Sequence, residues 1–233
     1  MFRSYIKFIL IIVIGVSFSC KKKKDDQWKI PTSVRFKMDI NRTPCLGGNL
    51  VFTGGNLVLE YFTFDGKRNQ GGEVYFMKNY EALNVPFDAN NTVSEWNFDI
   101  PQGSYTQIKI SYRTYGKPGD KQIVVLGTYK NTVSNITYPV RFEIDANGVY
   151  NVIAKTSAGS TQIVLEKDVE AIATMRMDPV YWFEEVTTAM MDGADLTVID
   201  GKQTILINKS TNPTFHSAIK GRVSHDVTQI IFN

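Results

Sequence analysis

The side chains in this 233-residue sequence able to do acid–base, nucleophilic or metal chemistry are two histidines, two cysteines and 23 acidic residues. Their spacing supports little of that chemistry. Neither His216 nor His225 has the cysteine, histidine or carboxylate neighbours that a zinc site needs, and no HExxH or paired-cysteine run occurs. His216 falls in a helical stretch and His225 close to the last residues, so both are expected at the surface or at a helix end. No Gly-x-Ser-x-Gly elbow, Walker loop or dinucleotide glycine fingerprint is present. Asp145-Ala146-Asn147-Gly148 has the carboxylate and glycine of a calcium loop. The glycine comes too early, however, and Thr156 stands where the bidentate glutamate belongs, so a hairpin turn is expected instead. Nothing singles out a carboxylate pair of the glycosidase kind. No catalytic residue, cofactor or metal ligand is predicted.

Cys45, in Thr43-Pro44-Cys45-Leu46-Gly47-Gly48, has no nearby histidine or basic cluster and is expected to act as a small buried apolar residue. Cys20 sits in a different context. Arg3 and Lys7 precede an apolar run from Phe8 to Val16, broken only by Gly15, and Ser17 and Ser19 lead up to the cysteine. That is the plan of a secretory signal peptide. Only thirteen residues separate Lys7 from Lys21, short of the roughly 20 that a spanning helix needs. A cysteine at such a cleavage point accepts a diacylglyceryl group through its thiolate and becomes the new N-terminus. Ser19 suits the position before it, whereas Ser17 stands where an aliphatic residue is usual and Phe18 where a small one is. The reading is a lipoprotein with signal peptide 1–19 and lipid attachment at Cys20. The alternative is a soluble export with a free N-terminal cysteine.

Residues 20–32 then form a lipidated tether, in which Lys21 to Lys24 precede Asp25 and Asp26; like charges repel and keep such a segment extended. The run Lys24-Asp25-Asp26 behind the cysteine resembles the surface-export signal of Bacteroidota lipoproteins. The resemblance implies an address on the outer leaflet of the outer membrane, with the periplasmic face as the alternative. Without residues 1–19 the chain keeps 24 Lys and Arg against 23 Asp and Glu, a net charge near +1 with four lysines in the tether. Nucleic-acid binding has no electrostatic footprint in that balance.

From Ser33 to the last residue the pattern predicts a single domain, 33–233. Val34, Phe36, Met38 and Ile40 alternate with polar residues, the period of a half-buried strand. Leu57 to Phe64 reads as a strand buried on both faces, returning after Asp65-Gly66 at Glu73 to Met77. Further strands are expected at 93–100, 105–115, 122–129, 136–144, 149–156 and 169–177, separated by turn residues such as Lys117-Pro118-Gly119-Asp120. This spacing implies an antiparallel sandwich or barrel. Asp178-Pro179 then caps a helix over 180–186 with Glu184 and Glu185 near its N-terminus, and Asn212-Pro213 opens a second over 214–222 whose Phe215, Ala218 and Ile219 share a face. Between them Leu196–Ile199 and Thr204–Ile207 flank Asp200-Gly201 as a hairpin. The two short helices are expected to act as lids on the β body.

The segment from Phe98 to Ile110, FDIPQGSYTQIKI, resembles the proline–glycine–tyrosine segment of uncharacterised Bacteroidota lipoproteins with immunoglobulin-like sandwiches. The resemblance implies a mainly β, antiparallel immunoglobulin-like sandwich in which a strand ends at Pro101, Gly103 makes the turn and the Tyr105 ring packs beneath it. Such a family offers no catalytic residues to transfer. Trp96 and Trp182 lie among apolar neighbours and are expected in the core. Trp28, Tyr112 and Tyr115 are the candidate exposed contacts for a ligand. The expected function is a non-catalytic, lipid-anchored binding or accessory module of the cell envelope. Its expected partners are the membrane, through the lipid, and a glycan or envelope protein. The alternatives are a structural subunit of an outer-membrane assembly and a hydrolase with an unrecognised carboxylate site.

Overall fold

The computed structural model describes residues 27–233 apart from 89, 91–93, 118–119, 146–147 and 224–228. Cys20, Lys24, Asp25, Asp26 and His225 therefore lie outside the described residues.

Two sheets share one core. The smaller contains β1 (Pro31–Ile40), β4 (Asn97–Pro101), β9 (Lys155–Thr156), β11 (Ala171–Met177) and β14 (Gln229–Phe232), in the order β4-β1-β11-β14-β9. The larger contains β2 (Leu50–Arg68), β3 (Val74–Pro86), β5 (Gly103–Thr114), β6 (Ile123–Lys130), β7 (Thr137–Ile144), β8 (Val149–Ile153), β10 (Ile163–Leu165), β12 (Leu196–Ile199) and β13 (Lys202–Ile207). Its order is β10-β5-β2-β6-β7-β13-β12, with β3 also on β2 and β8 also on β5. The mainly β expectation thus holds. Most pairings are antiparallel, but β1 with β11, β7 with β13 and β9 with β14 are parallel.

Alternation along β1 explains the smaller sheet: Val34, Phe36, Met38 and Ile40 are all buried. Across the core Phe36 meets Phe62 edge-on, with ring centroids 4.8 Å apart, and Phe98 stacks on Phe62 at 5.2 Å. β2 is the spine of the larger sheet. Register shifts at Phe52/Gly54, Leu59/Tyr61 and Lys67/Arg68 bend it, so its first half pairs with β6 and its second with β5. It runs seven residues further back than the apolar stretch suggests, through Gly54 and Gly55. Gly55 has φ +139, and a Cβ there would lie 2.0 Å from the Val124 carbonyl oxygen. Burial on both faces is confined to Phe62–Phe64.

The helical part differs in detail from the sequence pattern. Asp178 does cap the first helix, its carboxylate accepting from the Tyr181 amide, but that helix, α1, spans only Pro179–Trp182. A second, α2 (Thr188–Asp192), follows with Thr187 as its cap. Glu184 and Glu185 therefore sit beyond the end of α1, where both pair with Arg222 of α3 (Pro213–Val223). Asn212 does not cap α3 as expected. Its φ is +54, and its side chain instead accepts from the Asp195 amide and donates to the Asp195 and Leu206 carbonyls. Trp182 and Phe183 pack on Phe142 and Phe52, so the helices cover inner apolar surface of the larger sheet. Trp96 is fully buried, as expected, but in a 3-10 turn at Ser94–Trp96 rather than a strand.

The proline–glycine–tyrosine segment behaves as its residues imply. β4 ends at Pro101, Gly103 takes φ +143, and the buried Tyr105 donates its hydroxyl to the Pro101 carbonyl at 2.6 Å.

Candidate functional site

Three places bear on function: the outer face of the larger sheet, a charged depression at one end, and the end where β1 begins.

On the second half of β2, Phe62 and Phe64 face the core, so Tyr61, Thr63 and Asp65 must face out, because a strand alternates its side chains. The register sets their neighbours. Asp65 lies between Tyr75 of β3 and Lys109 of β5, and Lys109 lies beside Ile153 of β8. The next row is Met77, Thr63, Ser111 and Asn151, and the next Asn79, Tyr61, Arg113 and Val149. With strands about 4.8 Å apart, four of them span about 14 Å. Tyr75 is 67% exposed and Met77 49%. The polar groups on the neighbouring strands are held in place. Ser111 donates to Asn151 at 2.7 Å, Thr63 to the Ser111 carbonyl at 3.2 Å, and Arg113 pairs with Glu60 at 3.1 Å. An exposed ring beside ordered donors and acceptors can stack on the apolar C–H face of a sugar while its hydroxyls are hydrogen-bonded.

The expected contact residues lie elsewhere. Tyr112 is fully buried and stacks on Tyr150 at 4.9 Å, because it alternates toward the core with Ile108, Ile110 and Thr114; it cannot meet a ligand. Tyr115 is half-buried beyond the end of β5, and its amide donates to the Val58 carbonyl. Trp28 is half-buried against Gly71 and Gly103. Tyr75 was missed because Glu73 to Met77 is a short run whose facing direction depends on its register with β2. The alternation itself was the available signal.

The depression holds about 290 Å³ and is lined by Lys121, Glu143, Asp145, Asn208, Lys209 and Ser210, among others. Glu143 is 4% exposed. Burial pushes its pKa up, but bonds from Lys121 (2.7 Å), Arg141 (2.5 Å) and Asn208 (3.2 Å) outweigh that and hold it below the ordinary carboxylate value. Burial likewise raises Asp145, and its bond with Lys209, helped by the Lys220 charge, brings it below the usual range. Both are anions at neutral pH. A glycosidase needs one carboxyl held protonated by a raised pKa, so this pair suits ion pairing between loops better than acid–base work.

His216 corrects the surface expectation: it is 4% exposed, 6.2 Å from the Phe142 ring. Burial, with help from Lys220, depresses its pKa and favours the neutral ring. Cys45 is half-buried, and burial, then the Asp178 charge, push its thiol up to about 11. At neutral pH it is a thiol rather than a nucleophilic thiolate. Among the described residues no group of three or more His, Cys, Asp or Glu is arranged to hold a metal ion, and no helix is long and apolar enough to cross a membrane.

At the end where β1 begins, Arg68 gathers four main-chain carbonyls. Its Nη1 donates to Trp28 and Gln102, both at 2.8 Å, its Nη2 to Gly71 at 2.8 Å and its Nε to Gly72 at 2.9 Å. The guanidinium also lies 5.6 Å from the centre of the Tyr105 ring. No spacing rule announces such a clamp, since its acceptors are backbone.

No family model, curated protein or solved structure matches the chain.

Proposed function

We propose that this protein is a lipid-anchored envelope module, joined to the membrane through Cys20, that binds extended glycans on the outer face of its larger sheet without chemically altering them. The fold is read as an elaborated immunoglobulin-like sandwich and the address as the outer membrane, surface-facing by virtue of Lys24, Asp25 and Asp26. The observation that carries the binding reading is Tyr75, two-thirds exposed beside Asp65 on a four-stranded face whose further strands carry Lys109, Ser111 and Asn151. An exposed sheet face accepts a polymer along its length, whereas a small molecule needs a concave site.

A glycan array probed with the domain 27–233 tests this. The wild type should bind a set of oligosaccharides, and Tyr75→Ala should weaken that binding about tenfold, the loss expected for about 1.4 kcal/mol of ring contact. Binding unaffected by the substitution would overturn the assignment of the site. Mass spectrometry of the protein from its native membrane tests the anchor separately, by a diacylglyceryl mass on Cys20.

A second reading rests on a different surface. Val133 (82% exposed) and Leu196 line one surface depression, and Leu196 and the 69% exposed Val198 alternate along edge strand β12. Unpaired edges and apolar patches recruit proteins, so a structural subunit would use this side.

A further inference from the structure

The tether end of the domain carries a feature that anchoring alone does not require. β1 and β11 are parallel and begin together there, β2 and β4 finish there, and β5 and β3 start there. Around this rim the exposed residues include three aliphatics. Ile30 is 37% exposed, and its carbonyl accepts from the Gln102 amide. Val164 is 59% exposed and pairs with Ser104, the second residue of β5. Val169 is 52% exposed, its carbonyl accepting from the Thr32 hydroxyl at 2.7 Å. Lys29, Lys67 and Lys167 are exposed on the same rim, as are Glu166, Asp168 and Glu170, with Lys167 paired to Asp168 and Glu170 to Arg35. The half-buried Trp28 lies among them, fixed by the Arg68 clamp.

We infer that this rim rests on the bilayer surface, so that the domain stands with its strands along the membrane normal. The inference rests on the reading that Cys20 carries the lipid. Seven peptide steps separate Cys20 from Gln27, and at 3.6 Å each they reach at most about 25 Å. An anchor that short keeps the rim within reach of the headgroups, where the exposed aliphatics gain burial, tryptophan is favoured and Lys29 and Lys67 can meet phosphates. Tyr75 is the second residue of β3, counted from that end. The glycans it meets are therefore those close to the membrane surface.

The experiment uses chain 20–233, whose core lies wholly between Val34 and Phe232. With Cys45→Ala in place, Cys20 is joined chemically to a maleimide phospholipid in phosphatidylcholine vesicles, with or without brominated acyl chains. Trp96 and Trp182 are fully buried in the core, so bromine quenching reports on Trp28. The inference expects quenched Trp28 emission in the coupled protein. It expects the quenching to be lost in Ile30→Ser/Val164→Ser/Val169→Ser and retained in the opposite-end control Val133→Ser/Val198→Ser. Coupled protein whose emission is the same on both vesicle types would overturn it, as would quenching that survives the triple substitution. Because the join is chemical, the result is independent of whether cells acylate Cys20. The mass on Cys20 decides that question alone.

Discussion

Replacing Arg68 by alanine removes one guanidinium from four carbonyls at once. A hydrogen bond to a charged group contributes about 1.5–3 kcal/mol, so four would sum to more than the stability of many domains. Arg68 is only partly buried, and the carbonyls of Gly71 and Gly72 belong to a surface loop. Water can replace the lost donors there, which reduces the net loss to about 2–4 kcal/mol. For a domain of this size each kcal/mol moves Tm by about 2–4 °C, so Arg68→Ala should melt about 5–15 °C below the wild type. Arg68→Lys should recover less than half of that, because an ammonium is a point charge without the planar fork that spans Trp28 and Gln102. Urea and thermal unfolding followed by circular dichroism measure both variants. A change under about 0.5 kcal/mol in Arg68→Ala, the ordinary range for surface substitutions, would refute the clamp. Full recovery by lysine would show that charge alone matters.

Two further outcomes follow from the core and its ion pairs. Glu143 has a folded pKa below its ordinary 4.5, so its contribution is present above that pH and is lost as pH falls through the lower folded value. Glu143→Gln should cost about 1–3 kcal/mol at neutral pH by leaving Lys121 and Arg141 without their counter-charge. The gap from wild type should narrow in unfolding curves taken at progressively lower pH below 4.5, and a gap independent of pH would rule the network out. Deleting residues 179–233 exposes the sheet surface under Trp182, Phe183, Ile205, Ile207, Ile219 and Ile230. At about 1.5–3 kcal/mol per large apolar side chain this matches or exceeds a typical domain's stability of 5–15 kcal/mol. The truncated chain should therefore show no cooperative melt, and a melt as high as the full domain's would show that the helices are dispensable.

What the sequence made legible is what depends on neighbours in the chain. The alternation of Val34, Phe36, Met38 and Ile40 placed β1, Asp178-Pro179 placed the start of α1, and Asp200-Gly201 placed the β12–β13 hairpin. What depends on distant partners was hidden. β1 pairs with β11 across 137 residues, and nothing local states that the pairing is parallel. β10 has three residues and β14 four, too few to show a period. On α3 the buried stripe is His216, Ile219 and Val223 rather than Phe215, Ala218 and Ile219. The histidine turns inward, its ring 6.2 Å from that of Phe142. The same limit moved the candidate site. Tyr112 and Tyr75 both sit in strands, and only the facing direction of each strand separates a core ring from an exposed one.

Backbone-amide NMR of the domain 27–233, titrated with an oligosaccharide retained on the array, tests the binding claim most directly. Shift changes centred on Asp65, Tyr75, Lys109, Ser111 and Asn151 are expected, saturating together and absent in Tyr75→Ala. Changes centred instead on Val133, Leu196 and Val198, or on Lys121 and Lys209 at the depression, would contradict it.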